Sequence, residues 1–236
     1  MASHVVYQGK RALIIGINKY RRDPLQYCIQ DAEDLSKTLR CIDFDITLAL
    51  DCNCNKFYEV IDIFAETIQH DDLVLFYFAG HGKQSEDENY LLPSDYDYNF
   101  RTHERDYITN HAINVQYIMK KIDDKLCYVT IYIFDCCRKL IKTRAKDMNQ
   151  GLSPMSAPPK TLIVFACAPG KTAMEETLNN RNGIFIENLL KYISKPNQDI
   201  EDIMRKVACD VNLNTDGFQL SYRTSSLTQK IYLVTH

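Results

Sequence analysis

Apolar residues in this chain come in two textures that alternate along its length. Short, nearly unbroken runs at 11–17, 44–50, 73–79, 129–134 and 161–168 are rich in Val, Ile, Leu, Phe and Tyr. Such runs predict strands buried on both faces, as in parallel sheets. Between them the apolar positions spread out. Residues 31–42 place Leu35 and Leu39 four apart, and 55–69 align Phe57, Val60, Ile61, Phe64 and Ile68 on one helical stripe. Further helices are predicted over 112–122, 183–193 and 200–213, with a sixth and last strand over 230–234. Residues 83–110 are polar and read as irregular. Strands alternating with helices imply βαβ units, right-handed crossovers and a mostly parallel six-stranded α/β sheet.

Two of the apolar runs end abruptly in reactive side chains. One leads into Gly80-His81-Gly82, the other into Asp135-Cys136-Cys137-Arg138-Lys139. Ligands of open parallel sheets bind beyond the carboxyl ends of the strands, so an imidazole and a thiol are delivered to the same rim. A paired Cys and His is the working unit of a cysteine hydrolase. Strand alternation puts Cys136 and Cys137 on opposite faces. One is expected to meet His81 and the other to pack, and alternation alone leaves both open as nucleophile.

Composition narrows the setting. A chain of 236 residues fits one large domain whose core needs no staples. The net charge of -3 gives no attraction for nucleic acid or membranes, and no apolar stretch reaches the roughly 18 residues of a membrane span. The first ten residues hold no signal-peptide core, so a cytoplasmic protein is expected. Nine cysteines, several inside apolar segments, read as buried thiols in a reducing compartment. Cys52-Asn53-Cys54 reads as a turn before a helix, since no second ligand pair follows at finger spacing. No metal and no cofactor is expected.

The motifs carry a resemblance. His-Gly after one strand and Asp-x-Cys-Arg after another, with His81 lying 56 residues before Cys137, resemble the caspase, metacaspase and paracaspase clan of cysteine peptidases, where a separation of about 50 is usual. Ala12-Leu-Ile-Ile-Gly-Ile-Asn18-x-Tyr20, Asp31-Ala-x-x-Leu35, the run from Thr161 to Ala173 and Asn182-Gly183-Ile-Phe185 extend the match along most of the chain. The caspase signature Gln-Ala-Cys-x-Gly is missing, and the cysteine motif is most similar to that of paracaspases, with metacaspases as the near alternative.

The resemblance implies a caspase-like three-layer sandwich with helices on both faces of the sheet. It divides the chain into a large-subunit-like half (1–138), a Pro- and charge-rich connection (139–160) and a small-subunit-like half (161–236). It assigns Cys137 as nucleophile and His81 as base, with the amides of Gly82 and Cys137 as oxyanion hole. In paracaspases, acids at the positions of Asp31, Asp135 and Glu175 line the pocket for the residue before the scissile bond; Glu176 is the alternative to Glu175. Three carboxylates would take a planar guanidinium, so protein or peptide cleavage after Arg, or Lys, is expected, and self-cleavage at Lys142, Arg144 or Lys146 would follow from it. The acids Glu86, Asp87, Glu88, Asp95 and Asp97 lack the spacing of a calcium loop and read as a solvated stretch. A weak homodimer through the terminal run 229–235 is expected, because an unpaired strand edge invites a second copy. The competing reading is a catalytically silent interaction module of the same fold.

Overall fold

The computed structural model describes residues 7–86, 88–99, 103–137, 152, 155–167 and 179–235, with position 137 described by its backbone. Chain order is β1 (Lys10–Gly16), α1 (Cys28–Arg40), β2 (Asp45–Leu50), α2 (Cys54–Thr67), β3 (Leu73–Ser85), β4 (Glu88–Leu91), α3 (Glu104–His111), β5 (Ile113–Asn114), α4 (Val115–Asp123), β6 (Val129–Cys137), β7 (Thr161–Phe165), α5 (Ile184–Leu190), α6 (Ile200–Asn214) and β8 (Tyr222–Ser225). The main sheet runs β2-β1-β3-β6-β7-β8, parallel except for β8. The four central strands are those whose apolar runs are unbroken: residues 12–15, 73–79 and 161–165 are buried. Helices α1, α5 and α6 pack together on one face, while α2 and α4 pack on the other. This is the mostly parallel, six-stranded three-layer architecture expected from the sequence.

Chain direction reverses at β1. The sheet grows to β2 on one side of it and to β3 on the other, so two right-handed crossovers put α1 and α2 on opposite faces. The rim beyond the carboxyl ends of β1 and β3 is the kind of crevice in which doubly wound sheets hold ligands. Residues 17–27 follow β1 there, tied to β3 by the Ile17 amide on the Ala79 carbonyl at 3.0 Å.

Two expectations are corrected. The expected strand at 230–234 is not part of the sheet, whose last strand is β8, antiparallel to β7. Ile231 and Leu233 are buried as their alternation suggests. Their backbone, however, is satisfied by the loop before α6: Ile200 donates to the Ile231 carbonyl at 2.8 Å and Asn197 to that of Val234 at 2.9 Å, leaving one bridge, Asp199 to Tyr232. The Lys10 ammonium closes the segment on the Leu233 carbonyl at 3.0 Å. The polar stretch 83–110 is not irregular either. β3 runs past His81 to Ser85 and folds back through Glu86, which adopts a left-handed φ of 51°, into β4. Lys83 and Glu104, both nearly buried, pair with each other and dock the start of α3, and the Tyr96 hydroxyl joins them at 3.1 Å.

Candidate active site

His81 stands where β3 outruns β1, whose pairing ends at Gly16 opposite Ala79. The residue is 6% exposed. Its Nε2 lies 2.7 Å from the carbonyl oxygen of Asp23, in the loop between β1 and α1. A carbonyl only accepts, so Nε2 carries the hydrogen and Nδ1 is the basic nitrogen of the neutral ring. The Tyr20 ring packs on the imidazole with centroids 4.4 Å apart. Its hydroxyl accepts the His81 amide at 2.9 Å and donates to the Leu92 carbonyl at 3.1 Å. That hydroxyl occupies the space a side chain on residue 80 would need: a Cβ on Gly80 would sit 2.5 Å from it.

The parallel register sets His81 beside position 137 and Gly80 beside Cys136, and neighbouring strands lie about 4.8 Å apart. Cys136 is buried under the other face of the strand end. Its Sγ would lie 3.1 Å from a Cβ added at Gly82. Cys136 is therefore packed on the face away from the imidazole. The His81 carbonyl accepts the Leu92 amide at 2.9 Å, which makes Gly82 opposite Leu91 a non-hydrogen-bonded pair. The Gly82 amide is thus unused by β4 and directed to the β6 side.

The crevice also gathers acids. Asp31, in the first turn of α1, is 3% exposed, and its Oδ1 accepts the Gly183 amide at 2.9 Å and the Asn182 side-chain amide at 3.1 Å. Asp135, 6% exposed, accepts the Tyr77 hydroxyl at 3.3 Å. Burial raises both carboxyls far above the carboxylate range, and the negative charge of Asp135 raises Asp31 further. Burial and mutual repulsion thus disfavour ionisation of both groups. Glu175, Glu176 and the basic cluster 142–146 lie outside the described residues, as does most of the connection 139–160.

Sequence reasoning quoted Tyr20 and Asn182 as motif residues without a role and passed over Asp23 and Arg181. Asp23 sits before Pro24 in a loop without periodicity. Asn182 bridges Asp31 and Asp34, with its side-chain amide 3.0 Å from Asp34, and Arg181 grips Asp34 with two bonds of 2.8 and 2.6 Å. The stretch from Pro24 to Ile29 just ahead of Asp31 holds no arginine; Arg181, 147 positions beyond Asp34, is engaged by that acid one turn along α1. The acids of the polar stretch each have other work: Asp95 accepts the Cys54 amide at 2.9 Å, Asp97 pairs with Arg21 and Arg22, and Glu86 with Arg105. Asp87 lies outside the described residues. Cys52 and Cys54 flank Asn53, the N-cap of α2, whose side chain accepts the Lys56 amide at 2.9 Å. Among the described residues no group of three His, Cys, Asp or Glu is placed to hold a metal, and no helix is long and apolar enough to cross a membrane.

Comparison with known proteins agrees with this fold. The caspase-domain family model matches residues 9–232. Over 227 residues, 94% of the chain, the sequence is 27% identical to mucosa-associated lymphoid tissue lymphoma translocation protein 1 of Homo sapiens and 26% identical to the Mus musculus homolog. The chain spans only 26% of the length of either relative. The solved structure of pro-sf-caspase-1 matches 98% of this chain and 93% of its own with a TM-score of 0.71 at 16% identity, a likeness of fold.

Proposed function

Since this chain belongs to the caspase-domain family and is related to paracaspases, we propose that it is a cysteine endopeptidase cutting peptide bonds after Arg or Lys. The observation that carries the reading is the register that sets His81 beside position 137 at the mouth of a crevice holding two buried acids. Cys137 is the nucleophile: its thiol gives its proton to Nδ1 of His81 and attacks the scissile carbonyl. The negative charge that develops on the carbonyl oxygen is met by the amides of Gly82 and Cys137, each donor worth about 3–4 kcal/mol in comparable sites. His81, now an imidazolium, returns the proton to the leaving amine, and water then releases the acyl group by the reverse use of the same pair. Asp31 and Asp135, with Glu175 from the segment after β7, take the guanidinium or ammonium of the residue before the cut.

Hydrolysis of fluorogenic Arg-, Lys- and Asp-terminated peptides tests this directly. The Arg peptide is expected to turn over, the Asp peptide not, and Cys137→Ala to abolish activity. Equal turnover by the variant would remove Cys137 from the mechanism. Failure of an arginyl electrophile to label the wild-type protein would favour the non-catalytic interaction module.

The same reading treats 1–138 and 161–236 as the two halves of the domain, with 139–160 as the connection between them. It also carries a weak homodimer, now drawn at a different edge. β8 is the outer strand, and Phe218, Leu220 and Tyr222, at 54, 51 and 38% exposure, lead into it. A second copy paired along β8 would satisfy both edges and cover these side chains. The eight described cysteines are free thiols, which suits the cytoplasmic location this reading expects.

A further inference from the structure

We propose that the Asp23 carboxylate is the counter-charge of the His81 imidazolium, held in place by a loop that Asp97 anchors; the inference rests on the Cys–His reading above. The Asp23 carbonyl orients the ring, but a neutral dipole does little to favour its charged form. The same residue also brings its Oδ2 to 3.7 Å from Nε2, with side chains only 7% and 23% exposed. A carboxylate at that range stabilises the imidazolium, the species that forms when the thiol gives up its proton and again when the leaving amine must be protonated.

The loop is built to keep Asp23 there. Pro24 confines Asp23 to extended backbone. The Leu25 amide closes the loop on the Asn18 carbonyl at 2.9 Å, and the Asn18 side chain ties it to the Gln26 carbonyl at 3.0 Å and the Ile29 amide at 3.2 Å. From outside, Asp97 takes Arg22 at 2.6 Å and Arg21 at 3.3 Å. These two cations are thereby drawn to Asp97. Among the described residues, Tyr20 is stacked on the ring, Lys83 is paired with Glu104, and Asp135 is held by Tyr77 on the neighbouring strand, while the titratable Cys137 occupies the position beside His81. Asp23 is therefore a positioning residue that acts through His81.

Titration of the His81 ring by NMR in a Cys137→Ala background reads this without requiring activity. Asp23→Asn preserves the carbonyl and the size of the side chain. It should lower the imidazolium pKa by about one pH unit, the modest end of the range for a partly exposed partner, and Asp23→Glu should recover part of the loss. In the parent, raising ionic strength from about 0.01 M to about 1 M should lower the same pKa. An Asp23→Asn curve superimposed on the parent's overturns the proposal, and so does a salt-insensitive parent should Asp23→Asn fail to fold. Failure of the peptidase reading would show separately, as a parent protein that neither hydrolyses Arg peptides nor is labelled by an arginyl electrophile.

Discussion

Replacing Asp31 by Asn is expected to stabilise the protein while impairing its proposed chemistry. Asp31 accepts both its bonds through Oδ1, and an Asn carbonyl can accept the same two. What the substitution removes is a charge that burial and Asp135 oppose. The folded carboxyl titrates near 8 rather than 3.8. Near pH 4 the folded chain keeps this proton and the unfolded chain has lost it about half of the time, so the difference is still small. Between about 4 and 8 the unfolded chain has released the proton and the folded chain retains it, so the parent loses stability as pH rises, and the loss levels off above about 8. At about 1.36 kcal/mol per pH unit the full displacement is worth on the order of 5 kcal/mol. Asp31 and Asp135 titrate as a pair, so roughly half of that, about 2–3 kcal/mol, is assigned to Asp31. Asp31→Asn should thus gain almost nothing near pH 4 and about 2–3 kcal/mol near pH 8, or about 5–10 °C in Tm for a chain of this size. Urea denaturation of both proteins across that range reads the difference. The same change removes one partner of the basic side chain, so kcat/KM for Arg peptides should fall about a hundredfold, as when a buried charge pair loses one member. A variant less stable than the parent near pH 8, or an advantage that does not grow with pH, would refute the reasoning.

Tyr20→Phe keeps the ring on His81 but strands the His81 amide and the Leu92 carbonyl. It should cost about 1–3 kcal/mol by urea denaturation, and an unchanged midpoint would show that water replaces the hydroxyl. Gly80→Ala forces a Cβ to 2.5 Å from that hydroxyl and 2.7 Å from Phe78, a cost of about 1–3 kcal/mol. Part of that cost should disappear in a Tyr20→Phe background, as a double-mutant cycle reads. Asn182→Ala, which deprives the buried Asp31 of a donor, should cost about 1–3 kcal/mol. Phe218→Lys should leave the monomer folded and abolish any dimer seen by light scattering at tens of micromolar, because the side chain is 54% exposed beside the β8 edge.

Elements whose signal is their own burial were legible in the sequence. The runs leading to His81 and Cys137 are buried on both faces, and a strand with neighbours on either side and helices above and below has no polar position to disguise it. The same logic found α1, α2, α4 and α6, whose apolar stripes meet the sheet, and it separated Cys136 from Cys137 by alternation alone. β8 escaped because Tyr222-Arg-Thr-Ser is an exposed edge with no apolar face. The buried alternation of Ile231 and Leu233 was genuine but reports a chain packed against the loop before α6 rather than a strand. β4 and α3 escaped because Lys83, Glu104 and Tyr96 satisfy one another, and polar residues that are partners in space look like loop in sequence.

The site divides along the same line. Residue types and strand ends were enough to nominate His81 and the Cys136-Cys137 pair, because chemistry restricts which side chains can serve and sheet topology restricts where they meet; the resemblance to paracaspases chose Cys137 and pointed to Asp31 and Asp135. Only the tertiary structure decided which nitrogen of His81 is turned to a carbonyl, that Asp23 supplies this carbonyl and a carboxylate with it, and that Arg181 holds Asp34 rather than Asp31. The physical reason is range. Burial and periodicity act over a few neighbouring residues and are written locally. Hydrogen bonds and ion pairs between residues 58 or 147 positions apart exist only after the crossovers have folded loops of unrelated sequence onto one crevice.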